Sequence, residues 1–396
     1  MSVPKLRFKE FDENWNVEVL GNIVQIKSGY SPSKYELHEN GEIPFLKVEE
    51  LNNSNKYQEY SRFYTETCAD VIPKKSVIFP KRGAAILNNK VRILKVDSLL
   101  DSNLMALIPQ NTLDAEYLYY LINKVELYRI ADTSTIPQIN NKHIEPYEIH
   151  LPSKAEQTKI ASFLSAVDEK ISQLTQKHEL LSQYKQGMMQ KLFSQQIRFK
   201  ADDGSEFGEW EDKPLNEIAS KRSGKNKDGS ISEVLTNSAT QGIIKQGDYF
   251  EREIVTESNL NGYYIVNLDD FVYNPRISVH APVGPIKRNK KCLGVMSPLY
   301  TVFTVVEGNL AYLEYFFDSN FWHDYVKGVA NSGARHDRMN ITNKDFFDMP
   351  ILYPCLEEQT KIANFLSTID QKIEVVAQQI EQAKQWKKGL LQQMFV

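Results

Sequence analysis

The chain has 396 residues, with 47 Lys and Arg against 51 Asp and Glu and a formal net charge of −4. That length holds two or three domains, and 41% apolar with 25% charged residues is an ordinary soluble composition. Three scattered cysteines (Cys68, Cys292, Cys355) argue against a disulfide scaffold and a zinc module and fit a reducing cytosol, no apolar run is long enough to span a membrane, and the acidic balance counts against nucleic-acid binding unless positive charge is concentrated on one face.

The chain opens with Arg7-Phe8-Lys9, then Trp15, Leu20, Ile23 and Gly29. Runs rich in β-formers follow at Ile43–Val48, Ser76–Phe79, Val91–Val96 and Leu104–Ile108, separated by Gly and Asn clusters. Asp114 can cap an amphipathic helix carrying Tyr117, Leu118, Leu121, Ile122 and Val125. This α+β unit of about 150 residues is large enough for its own core.

Residues 151–193 then predict one long helix. Apolar side chains step by four and three through Ile160, Leu164, Val167, Ile171, Leu174, Leu181, Met188 and Leu192, with His178 and Lys185 in two of the slots. That is an a/d heptad seam, and Pro152 stands just before its start. A helix of about 38 residues is roughly 57 Å long.

The plan then repeats. Arg198-Phe199-Lys200, Trp210, Leu215, Ile218 and Gly224 echo the opening of the chain. Glu211-Asp212-Lys213, in this charged stretch, is expected to be a solvated turn rather than a nuclease motif. Predicted strands fall at Tyr263–Val266, Phe271–Tyr273 and Tyr300–Val306, and Asn309 can cap a helix with Tyr312, Leu313, Phe316 and Phe317. Residues 353–395 align with 151–193 without a gap, about half of the positions being identical. Their seam holds Ile362, Leu366, Ile369, Ile373, Val376, Ile380, Ala383, Leu390 and Met394, with Lys387 in the slot of Lys185. The expected order is domain, helix, domain, helix, with similar helices and diverged domains. Each seam needs a partner. The other copy is the simplest one, and packing on its own domain is the alternative.

Signals for catalysis are weak. There is no GxxxxGK[ST] loop, and the seven histidines show no metal-ligand spacing. Tyr273-Asn274-Pro275-Arg276 is close to the Asn-Pro-Pro-aromatic motif of amino-methyltransferases, but Arg stands where the second Pro belongs and no aromatic follows. The basic loops are more informative. Lys81, Arg82, Asn88, Asn89, Lys90 and Arg92 follow the strand ending at Phe79, and Arg276, His280, Lys287 and Arg288 occupy the matching place in the second domain. Lys221 and Arg222, and Arg335 and Arg338 with Lys142 near the matching stretch of the first domain, complete the candidate DNA-binding set. Arg pairs bidentately with guanine, Asn with adenine, and Lys neutralises phosphate.

The whole chain resembles the specificity subunit of type I restriction–modification enzymes. The resemblance rests on Glu156-Gln157-Thr158-Lys159-Ile160-Ala161 and Glu358-Gln359-Thr360-Lys361-Ile362-Ala363, each preceded by Pro and followed by Phe-Leu, and on the repeated Arg-Phe-Lys, Trp, Leu, Ile series. It implies two target recognition domains, residues 1–150 and 198–352, separated by helical spacers at 151–197 and 353–396 that form an antiparallel, pseudo-twofold coiled coil. Each domain would read half of a bipartite site in double-stranded DNA. The subunit would carry no catalysis or cofactor of its own. It would assemble in the cytoplasm with two modification subunits, which use S-adenosylmethionine, and with restriction subunits, which use ATP and magnesium. A coiled-coil scaffold without DNA readout is the rival class; it leaves the matched basic loops unexplained.

Overall fold

The computed structural model describes residues 3–66, 68–249, 257–331 and 337–396. It divides into two compact units, Met1–Gln176 with Ala377–Val396, and Lys177–Val376. The division falls inside both long helices, Lys154–Phe193 and Leu356–Met394, which have 40 and 39 residues.

In the first unit, Asn16–Val19 pairs antiparallel with Glu148–Leu151, tying the start of the domain to the segment before the long helix. The main sheet has five strands in the order Val24–Ser28, Leu104–Pro109, Val77–Pro80, Arg92–Leu94 and Tyr57–Gln58. Side chains alternate across it. Val77, Phe79, Met105 and Leu107 face one core with Trp15, Leu20 and the helix Ala115–Val125. Ile78, Leu104 and Ala106 face a second core with Leu46, Leu51 and Leu100. Both faces are covered, which is why these strands read as continuous apolar runs. Ile160, Leu164 and Val167 of the first long helix join the larger core, as do Leu390, Met394 and Phe395 from the end of the chain. The Asp114 side chain caps its helix by accepting from Glu116 N and Tyr117 N.

The second unit repeats the central sheet. Its order is Ala219–Lys221, Thr301–Val305, Phe271–Tyr273 and Ile286–Arg288. Phe271, Tyr273 and Phe303 face an aromatic core with Tyr312, Phe316 and Trp322, while Val272 and Val302 face the opposite one. Asn309 caps Leu310–Asp318 as Asp114 caps its counterpart. Met189, Leu192 and Phe193 pack on the aromatic core together with Ile362, Leu366 and Ile369. The peripheral sheets differ. The first unit has a three-stranded one, whereas the second has two separate pairs, Leu235–Ser238 with Gly242–Lys245 and Tyr264–Val266 with Gly294–Met296.

Two expectations need correction. Glu211–Pro214 is a strand, paired antiparallel with Pro350–Tyr353, and not a turn. Its partner lies far along the chain, and Lys213 folds over the Tyr353 ring at 4.5 Å and onto Glu307 at 3.1 Å. Near the end of the first helix the most buried methionine is Met189, with Met188 only partly covered. There the helix packs on the aromatic core through Met189, Leu192 and Phe193. Elsewhere Ile160, Leu164, Val167, Leu174, Ile362, Leu366, Ile369, Val376, Ile380 and Leu390 are buried, and Ile171, Leu181 and Ile373 half-buried. Among the described residues no helix is long and apolar enough to cross a membrane.

Candidate nucleic-acid interface

In each unit the loop after the third strand of the sheet is held by a distant segment. In the first unit Val77–Pro80 runs into Lys81-Arg82-Gly83. Ile139 N donates to Lys81 O and Gly83 N to Pro137 O, both at 2.8 Å, and Arg82 bridges Gln138 antiparallel. Gly83 turns the chain with φ +83°. Arg82 is exposed, and burial of the Lys81 ammonium lowers its pKa.

The second unit builds the same frame with other side chains. Phe271–Tyr273 runs into Asn274-Pro275-Arg276. Met339 N donates to Pro275 O at 2.8 Å, Ile277 N to Asp337 O at 3.1 Å, and Arg276 bridges Arg338. The Arg338 guanidinium holds the Asp337 carboxyl below its ordinary pKa. Tyr273, Pro275, Leu299, Asn340 and Asn343 line a cavity of about 170 Å³ beside the loop. Lys221 Nζ donates to Asn343 Oδ1 at 2.9 Å. Arg276, Arg338 and Lys221 are therefore gathered around one loop cluster. Among the described residues no carboxylate lies within ion-pair distance of Arg82 or Arg276.

The other candidates are held elsewhere. Arg92 donates to Leu51 O and Val91 O at 2.7 Å and to Ser54 Oγ at 3.2 Å, and burial lowers its pKa. Asn89 bonds the backbone of Asn123 and Leu127, and Lys90 bonds Asn52. Lys287 pairs with Asp318, Arg288 with Asp269 and Glu314, and Arg222 with the buried Asp270. These cations are neutralised or committed within the domain. Asn88, Lys142 and His280 are exposed. Arg335 lies outside the described residues.

The structure adds roles that the basic-residue search missed. Gln157 Oε1 accepts from Asp114 N at 2.8 Å, and its Nε2 donates to Thr112 O and Pro152 O at 3.0 Å. Gln359 does the same for Asn309 N at 2.8 Å and Pro354 O at 2.8 Å. The Gln of each Glu-Gln-Thr-Lys segment thus fastens the long helix to the cap of the domain helix. Recurrence of the segment in both copies is the signal that marks it.

Two units that repeat one central sheet, one capped helix and one long helix define a class of internally duplicated proteins. The model of the type I restriction modification DNA specificity domain matches residues 12–183 and again 208–385, and the chain belongs to that family. It is a specificity subunit, the non-catalytic DNA-recognition part of a type I restriction–modification system. The type I restriction enzyme MjaVIII specificity subunit of Methanocaldococcus jannaschii is 26% identical over 404 residues, spanning 96% of this chain and 91% of that protein. The S subunit structure from M. genitalium superposes with a TM-score of 0.56 at 15% identity, covering 100% of this chain and 99% of that one. The HsdS subunit from Thermoanaerobacter tengcongensis gives 0.51 at 16% identity over 96% of each chain. These last two are likenesses of fold.

Proposed function

We propose that residues 1–150 and 198–352 each read one half of a bipartite double-stranded DNA site. The helical regions 151–197 and 353–396 pair as an antiparallel, pseudo-twofold coiled coil, set the distance between the halves and dock two modification subunits. One observation carries this reading. The same loop frame occurs in both units with different side chains at its tip, Arg82 beside Gln138 and Arg276 beside Arg338. A repeated frame with altered side chains suits two half-sites of different sequence. The close similarity of the helices suits two identical partners docking on equivalent surfaces.

Chemistry resides in the partners under this reading. The modification subunits supply S-adenosylmethionine-dependent methylation of adenine, restriction subunits supply ATP- and magnesium-dependent cleavage, and the complex works in the cytoplasm. The net charge of −4 fits a subunit whose partners close around the DNA and make most phosphate contacts. The isolated chain then binds DNA weakly and loses that binding steeply with salt.

Single-molecule sequencing for modified adenines tests the reading, in cells carrying the gene with its methyltransferase partner and in cells lacking only this gene. A split motif that depends on the gene is expected, and replacing residues 1–150 should change one half of it. Identical maps with and without the gene would refute it.

A further inference from the structure

Asp168, on the helix Lys154–Phe193, sits at a three-way junction in the first unit. Its Oδ2 accepts from Tyr120 Oη, on the domain helix Ala115–Val125, at 2.7 Å. Its Oδ1 pairs with Lys387 Nζ, on the helix Leu356–Met394, at 2.5 Å. The Lys387 ammonium also lies 5.7 Å from the Tyr120 ring centroid, and Ser165 Oγ lies 3.2 Å from Tyr120 Oη.

The second unit contains the same junction with the helices exchanged. Asp370 Oδ2 accepts from Tyr315 Oη at 2.7 Å, and Asp370 Oδ1 pairs with Lys185 Nζ at 2.6 Å. Lys185 lies 4.9 Å from the Tyr315 ring, and Ser367 Oγ lies 3.2 Å from Tyr315 Oη. In each unit the lysine of one helix copy meets the aspartate of the other, and that aspartate holds the tyrosine of the reading domain.

Stability alone does not explain this arrangement. Both lysines occupy seam slots that an apolar residue would fill more favourably, and their ion pairs stay partly open to solvent, which weakens them. Polar seam residues instead select register. A slip of one heptad would carry each ammonium about 10 Å from its carboxylate. We propose that Asp168 with Lys387, and Asp370 with Lys185, are specificity-determining positioning residues. They lock the register of the helices and, through Tyr120 and Tyr315, the seat of each reading domain, so that one half-site gap is accepted. This inference rests on the bipartite reading above.

The test is an adenine-methylation map of cells carrying the full chain with its modification partner. In the double variant Lys185→Met, Lys387→Met the seam stays apolar and the helices stay formed. Both half-site sequences should be unchanged, while sites with a gap one base pair longer or shorter gain about tenfold in methylated fraction. Tyr120→Phe with Tyr315→Phe should broaden the gap in the same way with the seam untouched. A double Met variant confined to the parental gap overturns the proposal. If that variant fails to accumulate, the tyrosine pair decides: an unchanged gap overturns the proposal and a broadened one supports it. Failure of the bipartite reading is distinguishable, because the parent chain itself then gives no gene-dependent split motif.

Discussion

Arg7 forks onto Glu156, with Nε 2.7 Å from Oε1 and Nη2 2.8 Å from Oε2. Trp15 Nε1 donates to the same carboxylate at 3.2 Å. Arg198 and Glu358 repeat the fork at 3.1 and 2.8 Å, with Trp210 at 2.9 Å. The two carboxylate side chains are 2% and 0% exposed. Arg-Phe-Lys, Trp and Glu, with Arg and Glu 149 residues apart in one copy and 160 in the other, are thus one structural device that ties the start of a domain to its long helix. Removing the arginine strands a buried carboxylate. Arg7→Ala should destabilise the first unit by about 3 kcal/mol. Amide exchange should quicken in the first unit with the second unchanged, and Arg198→Ala should reverse that pattern. Equal effects in both units would contradict the assignment.

The loop frames predict a separable effect on recognition. Arg276 is exposed without a carboxylate at ion-pair distance among the described residues, whereas Arg288 is held by Asp269 and Glu314. Arg276→Ala should lower the specific affinity of the assembled complex about tenfold or more. Arg288→Ala should leave the affinity unchanged. Anisotropy titrations of a site-containing duplex, at one fixed salt concentration, measure both. Equal losses would mean that the ion pairs do not sort these residues.

A pH effect follows from His323. Burial lowers its pKa from the ordinary value of 6.5, and Lys327 adds to the lowering. The unfolded chain therefore binds the proton more readily than the folded one. Stability contributed by this group is full above 6.5 and is lost as pH falls toward the depressed folded value. His323→Gln should flatten that part of the stability profile of the second unit below pH 6.5. Denaturant titrations of parent and variant across that range give the difference, and parallel profiles would exclude the effect.

Much of the fold is legible in the sequence because the determinants are local. Val77, Phe79, Met105 and Leu107 form near-continuous apolar runs, and Asp114 and Asn309 are capping residues before amphipathic runs. The misreadings have non-local causes. Glu211–Pro214 becomes a strand through partners at the far end of the same domain. Lys287, Arg288 and Arg222 look like free cations until folding brings up Asp318, Asp269, Glu314 and Asp270. Lys185 and Lys387 read as polar interruptions of a seam, and only packing pairs them with Asp370 and Asp168.

Gly29 and Gly224 occupy the same slot of the repeat, yet their surroundings differ. A Cβ on Gly29 would meet Leu100 O at 2.1 Å and Asp101 O at 2.2 Å, while one on Gly224 would meet nothing within 4 Å. The crowding comes from the first unit's own chain path. Gly29 N bonds Leu104 O at 3.2 Å, Tyr30 N bonds Leu100 O at 2.9 Å, and Tyr30 bridges Asp101. Both obstructing atoms are backbone carbonyls, which cannot rotate away as a side chain can. Gly29→Ala must part these segments and should destabilise the first unit by about 1–3 kcal/mol. Gly224→Ala should change stability by no more than about 0.5 kcal/mol. Thermal melts of the two variants separate the cases. Equal midpoints would show that the first unit relaxes around the added methyl, and that the shared glycine marks common ancestry of the two copies rather than a close approach in one.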